Sequence, residues 1–129
     1  MSRVILGIDP GLATIGYGII RSSSRDVQEA VEYAAIITSP SDELAARLIH
    51  IFESVRGLIK QHNPVLVAIE SIYFGKNAKT AMSVGQARGV IYLAAALEKI
   101  PIVEFTPLQV KIALTGYGRA EKKQIQKMV

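Results

Sequence analysis

The hydrophobic pattern changes its period along the chain. Val4-Ile5-Leu6-Gly7-Ile8 is a continuous apolar run closed by Asp9. A run so short and so uniform suits a strand covered on both faces. Pro10-Gly11 breaks it. Thr14 to Arg21, β-branched and aromatic with interleaved glycines, predicts a second strand, and Val27 to Thr38 a third. Their short links favour an antiparallel meander, with Ser22-Ser23-Ser24 as a hairpin turn.

The period then becomes helical. Ser39 can cap a helix and Pro40 fits its first position, with Asp42 and Glu43 in the first turn. Leu44, Leu48, Ile51, Val55 and Leu58 recur on one face, and Asn63-Pro64 ends the helix. Val65 to Ile69 is a second wholly apolar run, closed by Glu70. The crossover helix makes this strand parallel to its neighbour. After a loop from Ile72 to Lys76, a long helix is expected from Asn77 to Lys99, rich in small residues. Ile102 to Phe105 predicts a fifth strand. Thr106-Pro107 leads into Leu108 to Leu114, Gly116-Tyr117-Gly118 turns, and Ala120 to Val129 opens another helix. The order βββαβαβα predicts an α/β layer with a mixed five-stranded sheet: a three-strand antiparallel meander plus parallel strands, flanked by helices.

Composition narrows the classes. At 129 residues the chain fits one domain with one core. It has no cysteine, which excludes a disulfide framework, a thiol nucleophile and Cys-based metal sites. Fifteen Lys and Arg against eleven Asp and Glu leave a net charge of +4, which suits a polyanionic partner without requiring one. The first apolar run is too short for a signal peptide, and Val90 to Leu97 stops at Glu98, well short of a membrane span. A soluble, cytoplasmic protein with no membrane partner is expected.

The informative chemistry is a repeated pattern. Two apolar runs each end in one carboxylate, Asp9 and Glu70. Strand ends are where α/β sheets place ligands. Parallel neighbours lie about 4.8 Å apart, so the two acids would sit side by side. Like charges so placed call for a divalent cation, and oxygen donors suit Mg²⁺. A metal pair in such a site supports phosphodiester hydrolysis. The plainer alternative is that Asp9 caps the Pro-Gly turn and Glu70 the following loop.

Other features carry their own alternatives. Tyr73-Phe74-Gly75-Lys76-Asn77 follows Glu70 and suits stacking on unpaired bases beside a phosphate, or else packing into the core. Lys76, Lys79, Arg88, Lys111, Arg119, Lys122, Lys123 and Lys127 would form a phosphate track if clustered, or ordinary solvated charges if not. Gly85 and Gly89, at i and i+4, permit close approach by the sheet beneath or by a second copy of the helix. His50 and His62 lack metal-ligand spacing and are read as structural.

GIDPG at 7–11, GYG at 16–18, AIE at 68–70, KNA at 76–78, GQARG at 85–89 and AEK at 120–122 together resemble the RuvC-type Holliday junction resolvases, of the RNase H-like superfamily. GIDPG alone is weak, being shared with sugar kinases and YqgF-type proteins; the ordered series is specific and spans essentially the whole chain. The resemblance implies a homodimer that binds four-way junction DNA and nicks two strands of like polarity. It also implies Mg²⁺ or Mn²⁺, two ions per intact site, and branch-migration partners RuvA and RuvB. Asp9 and Glu70 match its first two metal-binding catalytic carboxylates. Lys111 and Lys122 match catalytic basic positions beside the scissile phosphate. Tyr73 matches a base-stacking aromatic; Lys76, Asn77 and Arg88, with the two lysines, are the DNA-binding candidates.

The sequence departs from the family at one point. The last two acidic positions, in a D-x-x-D or H-x-x-D pattern, belong to a C-terminal helix, and no such pattern follows Glu121. Glu104 is read as ending a strand and Glu121 as favouring a helix start. The expectation is one nuclease domain over 1–129 that lacks the end of its catalytic helix, binds metal weakly and cuts poorly. The alternatives are a junction-binding dimer without catalysis and a YqgF-like nuclease acting on RNA.

Overall fold

The structure, a computed structural model, describes residues 3–24, 27–71 and 78–105. Seven elements follow in chain order: β1 (Arg3–Asp9), β2 (Thr14–Ser24), β3 (Val27–Ile37), α1 (Leu44–His62), β4 (Leu66–Glu70), α2 (Ala78–Leu97) and β5 (Ile102–Phe105). They form a five-stranded sheet of order β3-β2-β1-β4-β5. β1 pairs antiparallel with β2 and parallel with β4; β2 and β3 are antiparallel; β4 and β5 are parallel. The mixed sheet expected from the sequence is the sheet observed.

Its centre is held by the apolar runs. Leu6 and Ile8 of β1 and Val67 and Ile69 of β4 are buried with Ile15, Ile19 and Ile36 of the meander. Ile51, Val55 and Ile59 of α1 and Ala87, Ile91, Ala94 and Ala95 of α2 complete the core. The alanines allow α2 to sit close on its neighbours. Leu44, expected on the buried face of α1, is exposed, and Ile59, one turn after Val55, is buried where the predicted stripe had Leu58, which is partly buried.

Local chemistry overrode the sequence reading in two places. Ser22 to Ser24 do not form the hairpin turn. They continue the ladder, with Ser22 opposite Gln28 and Ser24 opposite Val27 across a register shift. Cross-strand backbone bonding outweighs the weak strand preference of serine. Ser39-Pro40 also does not start the helix. The Asp42 amide donates to the Ser39 carbonyl at 3.1 Å, closing a β-turn with proline second. The Ser39 hydroxyl meets that of Ser41 at 2.7 Å. The helix begins at Leu44 after Glu43, whose side chain makes no capping bond, and no acid lies in its first turn. A proline fits both a turn and a first helical position, so the dipeptide alone cannot choose.

The other end of α1 behaves as expected. Asn63 takes a left-handed conformation, φ 48°, and its amide returns to the Ile59 carbonyl at 2.9 Å. The Val65 amide then bonds to the Val4 carbonyl at 2.8 Å, which sets β4 in register beside β1.

Candidate active site

That register builds the site. Ile8 lies opposite Ile69, and both are buried. The following residues, Asp9 and Glu70, therefore share the other side of the pleat at the carboxyl ends of the two central strands. Asp9 is exposed and Glu70 half-buried. Their carboxyl groups interact, and Glu70 is pushed up from an ordinary 4.5 to about 7. Burial is the largest cause; the bond to Asp9 and repulsion from its charge add to it. Glu70 thus keeps its proton toward neutrality, chiefly because its charged form is poorly solvated and further because Asp9 stands beside it. A divalent cation would relieve the same repulsion more completely. The hard-oxygen donors fit Mg²⁺ or Mn²⁺. Among the described residues no group of three or more His, Cys, Asp or Glu side chains comes together; Asp9 and Glu70 stand as a pair.

The loop after Asp9 is fixed from both sides. Thr38 is buried; its hydroxyl donates to the Leu12 carbonyl at 2.5 Å and its amide to the Ala13 carbonyl at 3.0 Å. Arg47 Nε in turn donates to that hydroxyl at 2.9 Å. The loop after Glu70 starts from a similarly held peptide. Arg88 Nη1 donates to the Glu70 carbonyl at 2.9 Å, and the Ser71 amide donates to the Phe105 carbonyl at 2.7 Å.

Arg88 is half-buried on α2, and its other terminal nitrogen forms an ion pair with Glu104 of β5. Tyr92, one turn on, also donates to Glu104 and accepts from Arg88 at 3.3 Å. The sequence reading missed this constellation. The i, i+4 spacing of Arg88 and Tyr92 was the available signal, but nothing local shows that β5 brings a carboxylate to them.

Of the DNA-binding candidates, Arg88 alone lies among the described residues. Tyr73, Lys76, Asn77, Lys111 and Lys122 lie outside them, as do Arg119, Glu121, Lys123 and Lys127. Gly85 and Gly89 do not receive the sheet: a methyl group built on either meets nothing within 4 Å. Ala87, Ala94 and Ala95 make the close internal contacts instead. His62 lies against Glu32 at 3.8 Å, away from the carboxylate pair. No helix among the described residues is long and apolar enough to cross a membrane.

An antiparallel meander joined to two parallel strands, with acids ending the first and fourth, defines an RNase H-like fold. The match to solved structures agrees. Thermus thermophilus RuvC in complex with a Holliday junction substrate superposes with a TM-score of 0.86 at 31% identity, over 98% of this chain and 77% of that one. The yeast mitochondrial Holliday junction resolvase shares the fold, with a TM-score of 0.69 at 14% identity, over 95% of this chain and 59% of that one.

The family model for crossover junction endodeoxyribonuclease RuvC matches residues 5–129. Crossover junction endodeoxyribonuclease RuvC of Petrotoga mobilis is 52% identical over 124 residues, covering 96% of this chain and 76% of the relative. That of Caldicellulosiruptor saccharolyticus is 49% identical over 125 residues, covering 97% and 75%. The chain belongs to the RuvC family of crossover junction endodeoxyribonucleases.

Proposed function

We propose that the protein is a metal-dependent endonuclease that nicks four-way DNA junctions, with Asp9 and Glu70 as metal-holding catalytic carboxylates. The observation that carries this reading is the carboxylate pair itself. Two acids share one edge of the sheet, and Glu70 is driven to about 7 by burial and by Asp9. Family membership supplies the substrate class. When bound, Mg²⁺ or Mn²⁺ supplies Lewis acidity toward phosphate oxygens, and the resemblance assigns two ions to an intact site.

The roles of the remaining candidates rest on their motifs. Lys111 and Lys122 neutralise charge at the scissile phosphate. Tyr73 stacks on opened bases, and Lys76 and Asn77 contact the backbone nearby. Arg88 follows in the GQARG motif. RuvA and RuvB are the partners the resemblance implies, and the cytoplasm is the compartment in which they act. The 129 residues form one nuclease domain in this reading.

The test is a single-turnover assay on a synthetic four-way junction, with protein in excess and Mn²⁺ present. Paired nicks in strands of like polarity are expected. Tight junction binding without nicks in any divalent ion would favour a binding module, and preference for structured RNA would favour the YqgF-like reading.

A junction with two-fold symmetry suits a homodimer, and α2 supports one. The helix is apolar on both sides. Ala87, Ile91, Ala94 and Ala95 face the core, yet Met82, Leu93 and Leu97 on the opposite side are 67%, 52% and 51% exposed. Gly89 lies between them with open space above it. Leu48, Ile49 and Phe52 of α1 extend this surface as a groove with Val90 and Leu93. Such a strip on a monomer marks an interface. Leu93→Glu is expected to convert a dimer to monomer in sedimentation at micromolar concentration while changing Tm of the isolated subunit little. A parent protein that sediments as monomer at tens of micromolar would refute the dimer.

A further inference from the structure

We propose that Arg88 is a positioning residue that, together with Glu104 and Tyr92, fixes Glu70 against its repulsion from Asp9 and so sets the affinity of the pair for a divalent cation. The proposal deepens the metal-binding reading of Asp9 and Glu70 and rests on it.

Glu70 closes β4, so its backbone is the last that the sheet can hold. The peptide that follows it is gripped at both ends. Its carbonyl accepts from Arg88 Nη1 at 2.9 Å, and its amide, that of Ser71, donates to the Phe105 carbonyl at 2.7 Å. Side-chain direction follows from that peptide plane, so the grip fixes where the carboxyl group starts. It is needed because Glu70 faces a like charge. An unheld strand end would turn the side chain toward water, where the repulsion from Asp9 falls away.

The guanidinium can serve this way because its fork is rigid and its charge is met elsewhere. One terminal nitrogen takes the Glu70 carbonyl and the other takes Glu104 and the Tyr92 hydroxyl. The guanidinium also lies 5.2 Å from the centroid of the Tyr92 ring. Glu104 therefore holds the arginine on the backbone and away from the carboxylates that a metal would use. α2, β4 and β5 are tied at one point beside the site.

The test measures Mn²⁺ affinity by water-proton relaxation, amide hydrogen exchange at Ser71, and junction affinity in Ca²⁺. Arg88→Gln is expected to weaken Mn²⁺ binding by about 10–100-fold, the range for residues that orient a metal ligand. It should also speed exchange at Ser71 about 10-fold relative to the Val67 amide, whose bond to the Pro101 carbonyl stays in place. Glu104→Gln should produce the same losses, and the double variant no more than either. Arg88→Lys should not restore them, because one ammonium cannot reproduce the fork. Tyr92→Phe keeps both charges and should give a smaller change in the same direction, should the charge variants fail to fold.

Tighter Mn²⁺ binding in Arg88→Gln would overturn the proposal, since it would make Glu104 a ligand that the arginine masks. Lost junction affinity with unchanged Mn²⁺ binding and unchanged Ser71 exchange would also overturn it, by making Arg88 a direct DNA contact. If the parent protein binds no Mn²⁺, the metal reading fails by itself, and the Ser71 exchange rate alone decides whether Arg88 holds the peptide.

Discussion

Glu70→Gln is expected to make the protein more stable and to abolish its cleavage. Without metal at pH 8, the substitution removes a charge that burial disfavours and Asp9 repels. The direction with pH follows from where the proton sits. Folded Glu70 releases its proton near 7, while the unfolded chain releases it near 4.5. Between those values the folded state binds the extra proton. The stability from this group is full below about 4.5 and is lost as the pH climbs through about 7. The substituted protein should therefore exceed its parent by about 1–2 kcal/mol at pH 8, allowing for solvent screening of a half-exposed carboxylate. The difference should be small by pH 5 and vanish below about 4.5.

Divalent metal reverses the order. Mg²⁺ or Mn²⁺ should raise the Tm of the parent by ligand linkage and leave that of Glu70→Gln almost unmoved. Single-turnover junction cleavage should fall by about 10³-fold or more, the scale of several kcal/mol of lost metal-assisted stabilisation. Asp9→Asn should lose cleavage equally. Thermal melts at pH 5 and pH 8, with EDTA and with metal, check the stability claims. A parent whose Tm ignores divalent ions, or a Glu70→Gln variant that cuts within tenfold of it, would remove the carboxylate pair from the mechanism.

Why this pair was legible while its supports were not is a matter of range. Asp9 and Glu70 each end an apolar run, and strand ends can be read from local pattern alone. Their adjacency needed only the inference that a helical crossover makes β4 parallel to β1, which the register of Ile8 with Ile69 bears out. Arg88, Tyr92 and Glu104 had no such signal. They meet because β5 joins the far side of β4, and from the sequence Glu104 reads only as the end of a strand. The turn at Ser39-Pro40 was misread for the opposite reason: its residues satisfy two local rules at once, and the hydrogen bond of Asp42 to Ser39 decides between them. Gly85 and Gly89 left open an approach by the sheet or by a second copy of the helix; Ala87, Ala94 and Ala95 hold the internal contact, and a methyl group on either glycine would meet nothing within 4 Å.

Gly11 shows how tightly the backbone beside Asp9 is set. A methyl group on Gly11 would lie 2.4 Å from the Thr14 carbonyl oxygen, a backbone atom that cannot rotate away. The loop cannot easily yield, because Thr38 holds the carbonyls of Leu12 and Ala13 and Arg47 holds Thr38. Gly11→Ala should therefore cost about 2–3 kcal/mol in urea unfolding, the range of a backbone clash with no room to relax. The strain reaches Asp9 through Pro10 alone. A displacement of the carboxylate by about 1 Å would lower cleavage on the order of 10²-fold. Gly57→Ala is the control. Gly57 is exposed on α1 with nothing within 4 Å of an added methyl group, so there the same change should stabilise by about 0.5–1 kcal/mol. The two substitutions are chemically identical and differ only in what surrounds them. If Gly11→Ala unfolds at the urea concentration of its parent and keeps its Mn²⁺ affinity, the turn is more pliant than these contacts allow, and Asp9 does not depend on it for its place.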